Sequence, residues 1–167
     1  MRYSIVYSSN TGNTRQLAEE IEKQLPAGEL VYCGAPDTAA LQAEVLFVGF
    51  WTDKGSCDEK VAELLKQADG KTVYLFGTAG FGQSQQYFDQ ILARVRENLP
   101  AGAVYGGGFM CQGRMPQAVR SRYEAMQAKE PENARYKMLI ENFDAALAHP
   151  NADDLEAATA WAKSCLA

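Results

Sequence analysis

An apolar run, Tyr3-Ser4-Ile5-Val6-Tyr7, passes without a spacer into Ser8-Ser9-Asn10-Thr11-Gly12-Asn13-Thr14, and helical periodicity begins near Thr14. A buried strand that turns so abruptly into a helix is the opening unit of an α/β sheet. The same junction carries chemistry. The first turn of a helix leaves N–H groups without intrahelical partners and holds the positive end of the peptide dipole. Hydroxyls of Ser8, Ser9, Thr11 and Thr14 add donors, and Gly12 lets the backbone approach a ligand. Helix starts of this kind bind anions, so the segment reads as a phosphate cradle. The alternative reading is an ordinary helix cap with spare hydroxyls.

The rest of the chain alternates strand and helix. Strands are expected at Tyr3–Ser8, Leu30–Tyr32, Val45–Phe50, Thr72–Gly77 and Ala103–Cys111, the third an unbroken apolar run typical of a central parallel strand. Helices are expected at about 14–25, 58–67 and 85–98, with Leu17 and Ile21, then Val61, Leu64 and Leu65, then Phe88, Ile91, Leu92 and Val95 on their inner faces. Beyond Pro116 no strand signal occurs, only helical segments at about 117–128, 132–148 and 153–166. The economical layout is a doubly wound sheet of five parallel strands in the order 2-1-3-4-5, with extra C-terminal helices. One domain spans 1–167, in which 116–150 is a helical elaboration and 153–166 the final packing helix.

Composition excludes several function classes. At 167 residues the chain can bury a core without disulfides or metal. It has no apolar stretch of membrane-spanning length and no basic leader followed by an apolar core, so no membrane association and a cytoplasmic location are expected. Cys33, Cys57, Cys111 and Cys165 lie far apart, without a C-x-x-C pair, and His149 is the sole histidine. Metal clusters and Ser-His-Asp catalysis are therefore disfavoured. A net charge of -5 argues against nucleic acid as a partner.

The phosphate segment lacks the lysine of a Walker loop and the glycine triplet of a dinucleotide fingerprint. Ser9-Asn10-Thr11-Gly12-Asn13-Thr14 instead resembles the flavodoxin pattern Thr/Ser-x-Thr-Gly-x-Thr at each fixed position. The resemblance implies a flavodoxin-like fold and FMN as cofactor, its phosphate held by neutral donors alone. It also implies that the loops after the third and fourth strands hold the ring system. The first of these reads Phe50-Trp51-Thr52-Asp53-Lys54-Gly55, and flavodoxins commonly put an aromatic residue here. An indole at Trp51 can stack on an isoalloxazine face, and packing beneath the next helix is the competing role. The second reads Thr78-Ala79-Gly80-Phe81-Gly82. It has no acidic residue, and the aromatic cover for a second ring face is open between Phe81 and Tyr87. The candidate cofactor-binding set is Ser8, Ser9, Asn10, Thr11, Gly12, Asn13, Thr14, Phe50, Trp51, Thr52, Asp53, Gly55, Thr78, Ala79, Gly80, Phe81 and Gly82. No catalytic residue and no metal ligand are assigned.

On this reading the chain is an electron shuttle between redox partner proteins. The alternatives are an FMN-dependent NAD(P)H reductase and an accessory subunit of an oxidoreductase. No glycine-rich, basic motif for a nicotinamide nucleotide is visible, which favours the shuttle. Gly49-Phe50-Trp51-Thr52-Asp53-Lys54-Gly55, Met110-Cys111-Gln112-Gly113, and the tail with His149-Pro150 and Asp153-Asp154-Leu155 are similar to short flavodoxin-like proteins of anaerobic bacteria. Members of that group are similar to accessory proteins encoded beside oxidoreductases, including a bilirubin reductase, and the resemblance implies a role in electron delivery. Between residues 114 and 137, Arg114, Arg120, Arg122, Lys129, Arg135 and Lys137 are set against only Glu124, Glu130 and Glu132. Such a face suits docking to an acidic partner, with a solvated helix surface as the alternative.

Overall fold

Strand β1 (Tyr3–Tyr7) buries its first four side chains, because it lies in the interior of a parallel sheet. A computed structural model describes residues 1–82 and 84–167. It pairs β1 with β2 (Leu30–Gly34) on one side and β3 (Val45–Trp51) on the other. Strands β4 (Thr72–Ala79) and β5 (Val104–Gln112) extend the sheet in the order β2-β1-β3-β4-β5. Side chains alternate between the faces with the two-residue period of a strand. Ile5, Phe47 and Phe76 fall on one face, and Val6, Leu46, Val48 and Leu75 on the other.

Helices cover both faces. α1 (Asn13–Gln24) and the last helix, α6 (Ala152–Leu166), pack over Ile5 and Phe47 through Leu17, Ile21, Ala158 and Ala162. α2 (Glu59–Leu65) and α3 (Gln85–Arg96) cover the opposite face through Val61, Leu65, Ile91 and Val95. Between β2 and β3 a single 3-10 turn, Thr38–Gln42, replaces a crossover helix. Its buried Ala40 takes a hydrogen bond from the Ser4 hydroxyl at 2.9 Å, so a serine in the core strand is satisfied.

The remaining helices, α4 (Gln117–Lys129) and α5 (Ala134–Ala146), form a hairpin between β5 and α6. α5 buries Tyr136, Leu139, Phe143 and Ala146, whereas α4 buries no residue. Arg120 of α4 clasps Asp144 of α5 through two hydrogen bonds, at 2.9 and 3.0 Å. The chain leaves the hairpin through cis His149-Pro150 and enters α6 by a capping box. There Asn151 accepts from the Asp154 N–H at 2.9 Å, and the Asp154 carboxylate accepts from the Asn151 N–H at 2.8 Å. Among the described residues no helix is long and apolar enough to cross a membrane.

Most element boundaries shift by one or two residues from the sequence expectation, and the two inner strands run longer for one shared reason. β3 ends at Trp51, which pairs with Thr78, and β4 runs on to Ala79. Beyond them, the N–H and hydroxyl of Thr52 both donate to the Thr78 carbonyl, at 2.9 and 2.8 Å. This long-range bonding extends the strands past the point where apolar character ends.

Candidate functional site

The β1–α1, β3–α2 and β4–α3 connections open at the carboxyl edge of the sheet, where strand order reverses between β1 and β3. Ligands of open α/β sheets bind at this point. The connections, together with the segment after β5, enclose a cavity of ≈ 630 Å³. That volume suits a mononucleotide-sized ligand.

From the first connection Asn10, Thr11 and Asn13 line the cavity. Ser8, Ser9, Gly12 and Thr14 are turned to structural tasks. The Ser8 hydroxyl donates to the carboxylate of Asp58, which itself caps α2 by accepting from the Val61 N–H at 3.0 Å. Gly12, at φ +93°, begins α1 without any side-chain cap. Its N–H and that of Arg15 donate to the Ser9 hydroxyl at 3.1 and 3.3 Å, so the loop's backbone donors converge there. Thr14 is fully buried, its Oγ1 lying 3.1 Å from both the Phe50 carbonyl and Thr78 Oγ1.

Asn13 and Thr11 tie this loop to the far side of the cavity. Asn13 Nδ2 and Thr11 Oγ1 donate to the Arg114 carbonyl, at 2.8 and 3.3 Å. Asn13 is only 6% exposed, and its Oδ1 has no partner among the described residues. The approach requires glycine at 113, where a Cβ would stand 2.4 Å from Asn13 Nδ2.

From the second connection Trp51, Thr52, Asp53 and Gly55 line the cavity. A two-residue turn holds them: Asp53 and Ser56 exchange backbone hydrogen bonds at 2.8 and 3.0 Å, and Lys54 and Gly55 both adopt positive φ, +52° and +81°. Two consecutive left-handed residues define a type I′ turn, which favours glycine at its second position. Phe50 points away into the core beneath α2 and α3. From the third connection Thr78, Ala79, Gly80 and Phe81 line the wall, and Gly82 lies outside it. The Gly80 carbonyl accepts from Gln112 at 2.9 Å and from Asn142 of α5 at 3.0 Å, which fixes this loop against the hairpin.

Phe81 and Tyr87 both line the cavity, as an edge-to-face pair with centroids 6.3 Å apart. Burial pushes the Tyr87 phenol above its ordinary value, so it stays protonated at neutral pH. The hairpin adds residues absent from the sequence-based set: Met115, Ala118, Val119 and Tyr123, along with Arg114 and Arg122. No sequence signal separates these positions from a solvated helix face, since 117–129 mixes apolar and basic residues along its length. Cys111 is buried against Phe76 and α6, away from the cavity, and burial raises its thiol strongly.

A five-stranded parallel sheet in this order, with its cavity at the switch point, defines the flavodoxin-like class. The flavodoxin domain model matches residues 4–163, and the chain belongs to that family. It is 43% identical to the flavodoxin-like domain-containing protein BilS of Clostridium symbiosum, over 94% of this chain and 92% of the relative. Among solved structures, a short-chain flavodoxin associated with a non-canonical PDU bacterial microcompartment superimposes with a TM-score of 0.58 at 16% identity, over 99% and 97% of the two chains. A flavoprotein from Lactobacillus acidophilus in complex with FMN superimposes with a TM-score of 0.51 at 14% identity, over 66% and 93%.

Proposed function

We propose that the chain binds FMN at the carboxyl edge of its sheet and serves as an electron-transfer protein for a partner oxidoreductase. The observation that carries this reading is the convergence of three features on one ≈ 630 Å³ cavity: the polar residues Asn10, Thr11 and Asn13 of the β1–α1 connection, the indole of Trp51, and the Phe81–Tyr87 pair. The residues fit the group, since an aromatic-walled slot with polar donors at one end matches a flat ring carrying a single phosphate.

Bound FMN supplies reversible one- and two-electron redox chemistry. The chain contributes the surroundings. Asn10, Thr11 and Asn13 would surround the phosphate end, Trp51 would exclude water from a ring face, and the Asp53–Ser56 turn would present backbone groups to the ring edge. The FMN complex of a fold neighbour and the family membership support the assignment of cofactor.

Titration by flavin fluorescence quenching tests it. The expected order of affinity is FMN above riboflavin and FAD, since one terminal phosphate fits the donor end. Absence of quenching by any of the three flavins would refute the reading. A second measurement separates shuttle from reductase. The FMN-loaded protein should take electrons from a photoreductant yet consume NADH or NADPH only very slowly alone, and rapid stoichiometric reduction by either nucleotide would favour the reductase.

A further inference from the structure

The cavity is cationic although the protein is acidic. Its charged lining consists of Lys54, Arg114 and Arg122 against the single carboxylate Asp53, within a chain of net charge -5. None of the three cations enters a salt bridge among the described residues. Arg120, two residues before Arg122 on the same helix, is the contrast: its guanidinium is consumed by Asp144 and Glu124. The hairpin therefore divides its arginines by face. One braces α4 on α5, while Arg122 turns to the cavity beside Ala118, Val119 and Tyr123, at the i, i+1, i+4 and i+5 spacing of one helix face.

Arg114 is placed by a different device. Its carbonyl receives both Asn13 Nδ2 and Thr11 Oγ1, so the residue is fastened to the loop that carries the donor end of the cavity. Gly113 permits that approach. The β1–α1 loop holds no cation of its own before Arg15, and Arg15 is bonded to Glu19 at 2.8 Å and does not line the cavity. Arg114, whose backbone is fastened to this loop, lies about a hundred residues away in sequence.

Resting on the FMN reading, we propose that Arg114 and Arg122, delivered by the β5–α4 segment, select a phosphorylated flavin over an unphosphorylated one. Neutral donors in the first loop orient the phosphate, and the two guanidinium groups offset its charge. Both side chains are solvent-exposed, so screening limits the effect and makes it sensitive to salt.

The test compares FMN with riboflavin by fluorescence quenching in the wild-type chain and in the double variant Arg114→Gln, Arg122→Gln, at low and high salt. The Arg114 variant retains the carbonyl that receives Asn13, and Arg122 is exposed, so both should fold; unchanged circular dichroism checks this. The expected result is a loss of about three- to tenfold in FMN affinity with riboflavin affinity unchanged. Raising salt from about 50 to 500 mM should weaken FMN in the wild type and much less in the variant. Arg122→Lys should recover part of the loss. Equal losses for both flavins, no loss for either, or the same salt response in wild type and variant would overturn the assignment while leaving FMN binding intact. A wild-type chain that binds no flavin would overturn the functional reading beneath it.

Discussion

Trp51 is the residue whose two possible roles the fold separates. As the last residue of β3 it is held by backbone pairing with Thr78, while its half-buried indole lines the cavity. Backbone pairing survives truncation of the side chain. Trp51→Ala should therefore change stability by less than about 1 kcal/mol. It should weaken FMN by about 1 kcal/mol, near fivefold, and raise the fluorescence of the bound flavin. A large fall in melting temperature without flavin would assign the indole to packing instead. Gly113 is the opposite case, because a Cβ there meets the Asn13 amide group at 2.4 Å. Gly113→Ala should cost about 1–3 kcal/mol by urea denaturation and weaken FMN as Asn13 is displaced. The thiols of Cys33 and Cys165 are pushed up to about 12 and about 11 by burial. At pH 9.0, the ordinary thiol value, both should resist alkylation in the native protein and react rapidly once it is unfolded. Equal rates in the two states would contradict the burial.

At the scale of elements, the hairpin differs from every other helical part. α4 buries nothing, so its position depends on contacts with α5, the Arg120–Asp144 clasp among them. The Arg120 guanidinium holds the Asp144 carboxyl below its ordinary value of 3.8. A depressed carboxylate contributes its stabilisation above the unfolded value and loses it as pH falls through the folded one. The clasp is thus intact at neutral pH and is released only in acid, below 3.8. Asp144→Asn should accelerate amide hydrogen exchange across 117–129 at neutral pH while β1, β3 and β4 keep wild-type protection. Unaltered exchange in α4 would show that other contacts hold it. Elements were also the part of the fold most legible in sequence. Six consecutive apolar residues at Val45–Phe50 announced a central strand, and the spacing of Leu17 and Ile21 announced the helix over β1. The roles of Ser8 and Thr14 were not legible. Ser8 is taken by Asp58, fifty positions on, and Thr14 by Phe50 and Thr78. A short motif reports which donors are present, and tertiary contacts decide which remain available. The cavity face of α4 was hidden for a related reason, since a run of basic residues does not reveal which of them a neighbouring carboxylate has already engaged.

For the whole molecule, the two sheet faces are independent cores with different dependence on the C-terminus. The face under α1 and α6 contains an aromatic cluster in which Phe47 stacks on Tyr74 at 5.3 Å, and Trp161 of α6 meets Phe47 edge-on at 6.0 Å and Phe109 at 6.0 Å. Trp161→Ala should cost about 3 kcal/mol by urea denaturation. FMN affinity of the folded fraction should be unaffected, because the cluster lies away from the cavity lining. The final helix thus belongs to the core, and the hairpin before it contributes a wall of the site.

The hairpin's two ends meet. The Arg114 N–H donates to the His149 carbonyl at 3.0 Å, so the chain departs from the sheet and returns to it through a single gate. The buried side chains of α5, Tyr136, Leu139, Phe143 and Ala146, belong to neither sheet-face core. In engineering terms residues 115–148 are a cassette. Bridging the gate with a linker of about three residues should leave a cooperatively folding sheet, while the loss of Arg122 and Tyr123 narrows its preference between FMN and riboflavin. The same gate would accept other cassettes, so that the wall over the cavity can be exchanged without rebuilding the sheet beneath it.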